Sequence, residues 1–169
     1  MKIFSKFIDF FILIFFLILQ IVFAEQLKLY YINFDFILVI IAALTFKNGT
    51  VSGMIYGFFT GIIFDLLSSK IVGISALILA LDAFIIGRLM EAGLKQKIQS
   101  YVFIIFIISE INIIIINVIY YLFSYNIDFT SLSIDLLSKP FFNIILIFII
   151  FPLMRVKFLG EELIEYKYK

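Results

Sequence analysis

Six apolar runs, each bounded by charged or turn-forming residues, divide the chain, and they cover residues 7–23, 29–46, 51–67, 71–87, 101–123 and 141–154. A helix needs about 20 mainly apolar residues to cross the hydrocarbon core of a bilayer, so each run predicts one transmembrane helix. The second run reaches that length only if it starts near Leu29. The sixth is short and contains Pro152, and Pro140 suits a first helical position. We therefore expect the sixth helix to be tilted, kinked or extended by the segment before it.

The basic residues predict the orientation of these helices, because cationic loops are retained in the cytoplasm. With the N-terminus inside, the outer side receives only Lys28, Lys70 and Lys139. The inner side receives the other ten, namely Lys2, Lys6, Lys47, Arg88, Lys95, Lys97, Arg155, Lys157, Lys167 and Lys169. This imbalance predicts six spans with both termini in the cytoplasm.

The composition agrees with a membrane protein. Of the 169 residues, 64% are hydrophobic and 15% charged, and the mean hydropathy is +1.22. Soluble domains are about half apolar and about a quarter charged. We expect an all-α integral membrane protein with a single transmembrane domain over residues 1–169, which includes a short cytoplasmic tail at 155–169. A multi-pass location in a membrane fits this organisation.

Missing residue types restrict the function. Cysteine and histidine are both absent, which removes thiolate nucleophiles, imidazole bases and the commonest transition-metal ligands. No phosphate-binding loop, nucleophile elbow or zinc-protease motif occurs. We expect no enzyme activity, no catalytic residue, no metal and no cofactor. The formal net charge of +1 gives no field that would gather nucleic acid, so we expect no nucleic-acid partner.

A glycine ladder marks the third run, where Gly49, Gly53, Gly57 and Gly61 recur every four residues and the next step is Asp65. On an α-helix this spacing places all five residues on one face. Small residues at that spacing allow a second helix to approach closely in lipid. The face is predicted to pack against a neighbouring helix of the same chain or against another protein, and different sides of the helix could serve both uses.

Acidic residues near the outer ends of spans form a second candidate feature. Asp35 opens the second span and Asp65 closes the third, so the topology brings both toward the outer surface, near Lys28 and Lys70. Asp35 also suits a helix N-terminus, where a negative charge interacts favourably with the helix dipole. These carboxylates are predicted either to be end-of-helix groups or to belong to an outer polar contact site.

Two further acidic residues, Asp82 and Glu110, fall near the middle of the fourth and fifth spans. A charged group facing lipid at that depth costs at least about 2.5 kcal/mol, so both should face protein or water. They are predicted to be protonated, to line a small hydrated cavity, or to bond a polar stripe on the fifth span that includes Glu110, Asn117, Tyr121 and Ser124. A cation or proton path and a pocket for a polar ligand are the functional alternatives.

The stretch from Asn33 to Ala76 carries a more specific pattern, in which an aspartate opens a span and a small-residue helix ends in an acid. Its residues are Phe34, Asp35, Gly53, Gly57, Phe58, Gly61, Asp65, Leu66, Leu67, Gly73 and Ala76. The pattern resembles the bacterial rod shape-determining MreD family. That family often has proline before the opening aspartate, where this chain has Phe34.

The resemblance implies a non-enzymatic scaffold of the cell-elongation complex, which controls cell shape and lateral peptidoglycan synthesis. It implies an MreC-like single-span partner and, through it, an MreB-like actin homologue and peptidoglycan synthases, all within reach of membrane lipid. Gly57, Gly61 and Asp65 would be the family's contact residues here, with Asp35 and Gly73 as further members. Two alternatives stay open: the substrate-binding membrane subunit of an energy-coupling-factor vitamin transporter, and a lipid flippase that uses Asp82 and Glu110.

Overall fold

The computed structural model describes residues 2–28, 34–68, 71–93, 98–126 and 128–153. Every regular element in this part of the chain is an α-helix, and there are six of them. They are α1 (Lys2–Lys28), α2 (Phe36–Asn48), α3 (Thr50–Ser68), α4 (Ile74–Glu91), α5 (Ile98–Leu122) and α6 (Phe129–Leu153). The predicted all-α class is confirmed. The predicted cytoplasmic tail at 155–169 lies outside the described residues.

Three of the helices are long and apolar enough to cross a membrane by length and composition. They comprise Thr50–Ser68, Gln99–Leu122 and Phe129–Pro152. Two shorter apolar helical segments, Ile8–Phe23 and Phe36–Asn48, lie in α1 and α2. Large apolar side chains are exposed along most of the helices, as expected where a helix faces lipid.

The second helix begins later than the predicted start near Leu29. Phe34 and Asp35 are not helical, and the Asp35 carboxylate accepts a hydrogen bond from the Leu38 backbone N–H at 3.1 Å. This N-cap ends the helix on that side, because the side chain takes the place of a further backbone acceptor. At 1.5 Å per residue the 13 residues of α2 extend over about 20 Å, which is less than the bilayer core.

The sixth helix is extended, as expected for so short an apolar run, but Pro140 is not its first residue. The helix begins at Phe129, and Pro140 is buried well inside it. Asp128 precedes the helix and accepts hydrogen bonds from the Thr130 hydroxyl and backbone N–H, which hold the pKa of the Asp128 carboxyl below its ordinary value. This cap fixes the helix start, and Pro140, which lacks an N–H, lies in the helix interior.

The core of the fold is the short helix α2. All of its residues from Phe36 to Phe46 are buried, and α2 packs against each of the other five helices. Its sequence is apolar all round, which is the pattern expected of a helix enclosed on every side. The longer helices therefore surround a central rod, and the two ends of that rod carry the polar clusters described below.

Candidate functional site

The glycine face of α3 lies against α4. An ideal Cβ built on Gly57 would be 2.7 Å from the backbone oxygen of Leu79, and one built on Gly61 would be 2.3 Å from the Cα of Ala76. Both distances are shorter than any real contact, and the atoms that would be met are backbone. The two helices therefore touch backbone to backbone, and α3 packs more extensively against α4 than against any other described helix.

The other two ladder glycines have different neighbours. Gly53 is buried against α2, where a Cβ would overlap the Thr45 side chain. Gly49 lies outside the helix, since it joins α2 to α3 with φ +88°, so the prediction that it shares their helical face is wrong. The reason is local: its N–H caps α2 through the Thr45 oxygen at 2.9 Å, and its own oxygen starts α3 by accepting from the Gly53 N–H at 3.1 Å. A positive φ suits glycine at this junction.

Asp65 ends the glycine face and caps the next helix. It is 1% exposed, and its Oδ2 accepts hydrogen bonds from the backbone N–H groups of Gly73 at 2.8 Å and Ser75 at 2.9 Å. Gly73 is the N-cap residue of α4 and has no side chain with which to cap it, so Asp65 supplies the missing acceptor from α3. Its other oxygen, Oδ1, is buried without a partner among the described residues.

Asp35 belongs to a polar cluster at the start of α2. Its carboxylate forms an ion pair with Lys139 of α6 at 3.2 Å, and its backbone N–H donates to the Asn143 side chain at 2.8 Å. Gln20 of α1 completes the cluster by donating to the Phe34 oxygen and accepting from the Phe36 N–H. These contacts link α1, α2 and α6 at one end of the bundle, which we call the Asp35 end. Of the predicted neighbours of Asp35 and Asp65, Lys70 and the side chain of Lys28 lie outside the described part of the structure.

A cleft of about 100 Å³ opens beside this cluster. Its polar lining residues are Gln20, Asp35, Ser75, Asn112 and Lys139, and its apolar ones are Ile37, Phe64, Ile78, Leu79 and Ile116. The Asp35 and Lys139 side chains remain 20% and 18% exposed, so the ion pair can be reached from the cleft. The cleft therefore offers a carboxylate, an ammonium group and side-chain amides to a polar group that enters it.

The two acidic residues at mid-span depth have different surroundings. Asp82 is buried and accepts a 2.7 Å hydrogen bond from Asn112, which lies on α5 but outside the predicted polar stripe. Glu110 is partly exposed, and the Asn117 amide donates to the Ile113 oxygen of its own helix. The structure brings Asp82 to the cleft through Asn112 and leaves Glu110 on a different face of α5.

We predict that Asp82→Asn changes stability by less than about 1 kcal/mol. The Asn112 amide can still donate to the new side-chain oxygen, and an amide needs less solvation than a carboxylate. The shift should be measured as the change in the midpoint of SDS-induced unfolding of purified protein. Asp82→Leu is the comparison, because it leaves the Asn112 donor buried without an acceptor and should destabilise more. A large loss in Asp82→Asn would mean that the negative charge itself is needed.

Two buried polar contacts were missed by the sequence analysis. Asp9 of α1 is 1% exposed and pairs with Lys47 and Asn48 at the other end of α2. Asn143 of α6 is fully buried and donates to Ser109 of α5 at 2.9 Å. An ionisable residue inside the first apolar run was a usable signal for Asp9. The single asparagine in the sixth run gave no indication of its partners.

These features describe packing and polar contact between helices. Among the described residues no group of three or more acidic side chains is arranged to hold a metal ion. The model of one protein family, described as rod shape-determining protein MreD, matches residues 2–157. The chain belongs to the MreD family. The MreD family consists of shape-determining structural proteins of the rod-shape complex, in which MreC and MreB are the general context.

MreD membership and the three long apolar helices together indicate a membrane protein. The family match extends over all six helices and the cleft, and it includes the segment from Asn33 to Ala76 that carries the resemblance. Neither the curated proteins nor the solved structures gave a match to the chain.

Proposed function

We propose that this chain is a non-enzymatic inner-membrane scaffold of the cell-elongation complex. It crosses the membrane six times with both termini in the cytoplasm, with the short α2 enclosed by the other five helices, and it docks an MreC-like single-span protein. Through that protein it acts on an MreB-like filament and on peptidoglycan synthases, so it controls cell shape and lateral wall synthesis. The observation that carries the proposal is the family match over residues 2–157.

In this topology the Asp35 end of the bundle faces outward. The N-terminus of α2, the N-terminus of α4 and the cleft then all open toward the side where peptidoglycan is made. We propose that the cleft is where the partner's chain makes polar contact, because its ion pair is accessible and its two side-chain amides, Gln20 and Asn112, come from different helices. Charged groups at such an edge confer specificity more than affinity.

The glycine face supports this role indirectly. Gly57 and Gly61 hold α3 against α4, and that pairing brings Asp65 onto the first turn of α4. Ser75, in the same turn, lines the cleft. We therefore propose that the glycines and Asp65 shape the docking surface, while the partner itself contacts Asp35, Lys139 and their neighbours.

The size of the cleft weighs against the vitamin-transporter alternative. Pockets that hold drug-sized ligands enclose about 300 Å³ or more. The cleft encloses about 100 Å³, which is space for a few water molecules or for one or two side chains. A partner's side chains fit this cleft and a vitamin does not, so the cleft itself favours the scaffold.

The test reverses one charge in the cleft. In the Lys139→Glu variant the new carboxylate would face the carboxylate of Asp35. We expect the amount of the MreC-like partner that is recovered with the tagged chain to fall at least about tenfold. Rod-shaped cells that depend on this chain should then widen or round up. Lys139→Arg keeps the charge and should behave like the original chain.

Protein amount in the membrane is measured in every strain, so that loss of partner is separated from loss of the chain. Unchanged partner recovery and unchanged cell width in Lys139→Glu would contradict the proposed docking site. A vitamin bound in equal amount to the purified chain would favour the transporter instead.

A further inference from the structure

The outward face of α5 carries a heptad pattern that the cleft does not use. Residues on this face are spaced alternately four and three apart, in the order Phe103, Ile107, Glu110, Ile114, Asn117 and Tyr121. We call this face the α5 seam. The core side of the same helix carries Ile105, Ile108 and Asn112 instead. Apolar residues repeated every 3.5 positions are the pattern with which two helices pack in a left-handed pair, both in water and in membranes.

The apolar members of the seam are open in the described structure. Phe103 is 65% and Tyr121 is 70% exposed, and Ile107 and Ile114 are also exposed. Exposed apolar side chains alone would be accounted for by lipid. The two remaining members, Glu110 and Asn117, are polar, and they lie one heptad apart.

Glu110 is the 13th of the 25 residues of α5, so about 18 Å of helix extends on either side of it. Within the described part of the chain, no hydrogen-bond donor or cation is paired with its carboxylate. An ionisable side chain in this position is expensive when it faces lipid. It becomes tolerable when a second helix brings a donor to it.

Asn117 presents the same need one heptad further along. Its side-chain N–H₂ is bonded to the Ile113 oxygen at 2.8 Å, which leaves the amide oxygen as an acceptor. The seam therefore offers two acceptors to a neighbouring helix, at positions 110 and 117. A matching helix has to supply donors with the same spacing.

We propose that the α5 seam docks a transmembrane helix of another protein that carries hydrogen-bond donors, hydroxyl, amide or basic, seven residues apart near the middle of its span. The apolar members of the seam supply packing area, and the two acceptors set the register, as single polar residues do in coiled coils. This inference rests on the membrane location in the proposed function. It does not depend on the cleft or on cell shape.

A second copy of this chain fits the seam less well. In a parallel, two-fold symmetric pair of α5 helices, each level of the seam meets itself. Glu110 would face Glu110, and the two carboxylates would repel each other unless a proton were shared between them. At Asn117 the second amide N–H can donate to the oxygen of its counterpart, so it is the repulsion at Glu110 that weighs against a second copy. A helix with donors satisfies both levels without an added proton.

The test is photo-crosslinking in the cells that carry the chain naturally. A photo-reactive phenylalanine derivative replaces Ile114, which is in the seam, or Ile115, which is exposed at nearly the same depth but points away from it. Crosslinked proteins are identified by mass spectrometry. We expect one membrane-spanning protein to be captured from position 114 and not from position 115, with donors seven residues apart in the captured span.

Side-chain variants then test the polar contacts. Glu110→Leu should lower the yield of that crosslink by about fivefold or more, and Asn117→Leu should lower it by a smaller factor. Glu110→Gln keeps an acceptor and should retain most of the yield. Leucine in place of the partner's donor should reproduce the loss. The amount of each variant in the membrane and its unfolding midpoint show whether a variant has simply failed to fold.

Four results would overturn the proposal: crosslinks to a second copy, crosslinks to lipid alone, equal capture from positions 114 and 115, or a yield that Glu110→Leu leaves unchanged when that variant is folded. The outcome is separable from the proposed function. If the crosslink depends on Glu110 in cells whose shape does not depend on the chain, the proposed docking at the α5 seam is supported and the proposed scaffold function is rejected. If the scaffold function is normal and that crosslink is absent, the scaffold function is supported and docking at the α5 seam is rejected.

Discussion

Gly61→Leu is expected to disrupt the fold more than any other single substitution on α3, with a loss of stability of at least about 3 kcal/mol. The Cβ alone would lie 2.3 Å from the Cα and 2.4 Å from the N of Ala76. These are backbone atoms in the first turn of α4, so no rotamer change can make room. The helices would have to separate, and their contact along the rest of the face would be lost with them.

The measurement is SDS-induced unfolding of the purified protein, together with the amount of folded protein in the membrane. Gly57→Leu should behave similarly, because its Cβ would meet the Leu79 carbonyl group of α4. The matched control is Ile63→Leu, which changes an exposed side chain on the same helix. If Gly61→Leu unfolds at the same SDS fraction as Ile63→Leu, the backbone contact between α3 and α4 does not exist in the membrane.

The same measurements on Asp82→Asn distinguish a requirement for close helix packing from a requirement for the buried carboxylate. If close helix packing is the main requirement, both glycine variants should lose partner recovery and cell shape far more than Asp82→Asn does. Equal loss in all three variants, at normal protein amounts, would indicate that the buried carboxylate has a chemical task.

The second large effect is expected from Asp65→Leu, which should cost about 3 kcal/mol. The substitution leaves the N–H groups of Gly73 and Ser75 without the acceptor that now lies within 3 Å of each. Gly73 is the N-cap residue of α4 and Ser75 lies in its first turn, where no backbone acceptor is available within the helix. Gly73 cannot take over the task, since it has no side chain.

Two variants define this effect. Asp65→Asn keeps one oxygen as an acceptor and should lose about half as much stability. Asp128→Ala removes a carboxylate that also caps a helix, but one that is exposed to solvent, so water can replace it and the loss of stability should be much smaller. Unfolding midpoints of all three proteins are compared in the same detergent. Losses of similar size in Asp65→Leu and Asp128→Ala would show that burial does not add to the cost of losing this cap.

The number of helices followed from the sequence because the hydrophobic pattern decides it. Six apolar runs bounded by charge became six helices, since in an apolar solvent a chain must satisfy its backbone groups within each segment. The ends of the helices were harder to predict. Asp35 caps α2, which begins seven residues after Leu29, and Asp128 caps α6 well before Pro140. Both helix starts depend on a capping hydrogen bond, and the bounds of an apolar run do not indicate where such a bond forms.

The partners of the site residues could not be read from the sequence in the same way. Asp82 is a buried carboxylate, and its hydrogen-bond partner is Asn112, a residue that the sequence analysis did not name. Lys139 was assigned only to an outer loop, and it forms an ion pair with Asp35 from inside α6. Contacts between residues about a hundred positions apart depend on how the helices are arranged around α2.

The sequence by itself determined the apolar helices, the family and the close-packing face of α3, because each of these is a property of consecutive residues and their spacing. Only the tertiary structure decided that α2 is the enclosed helix, that Gly57 and Gly61 meet α4, and that Asp65 caps it. It also left Glu110 on an outward face. The physical reason is that periodicity defines the faces of a helix, whereas the neighbour that each face meets is chosen by packing and hydrogen bonding among all six helices.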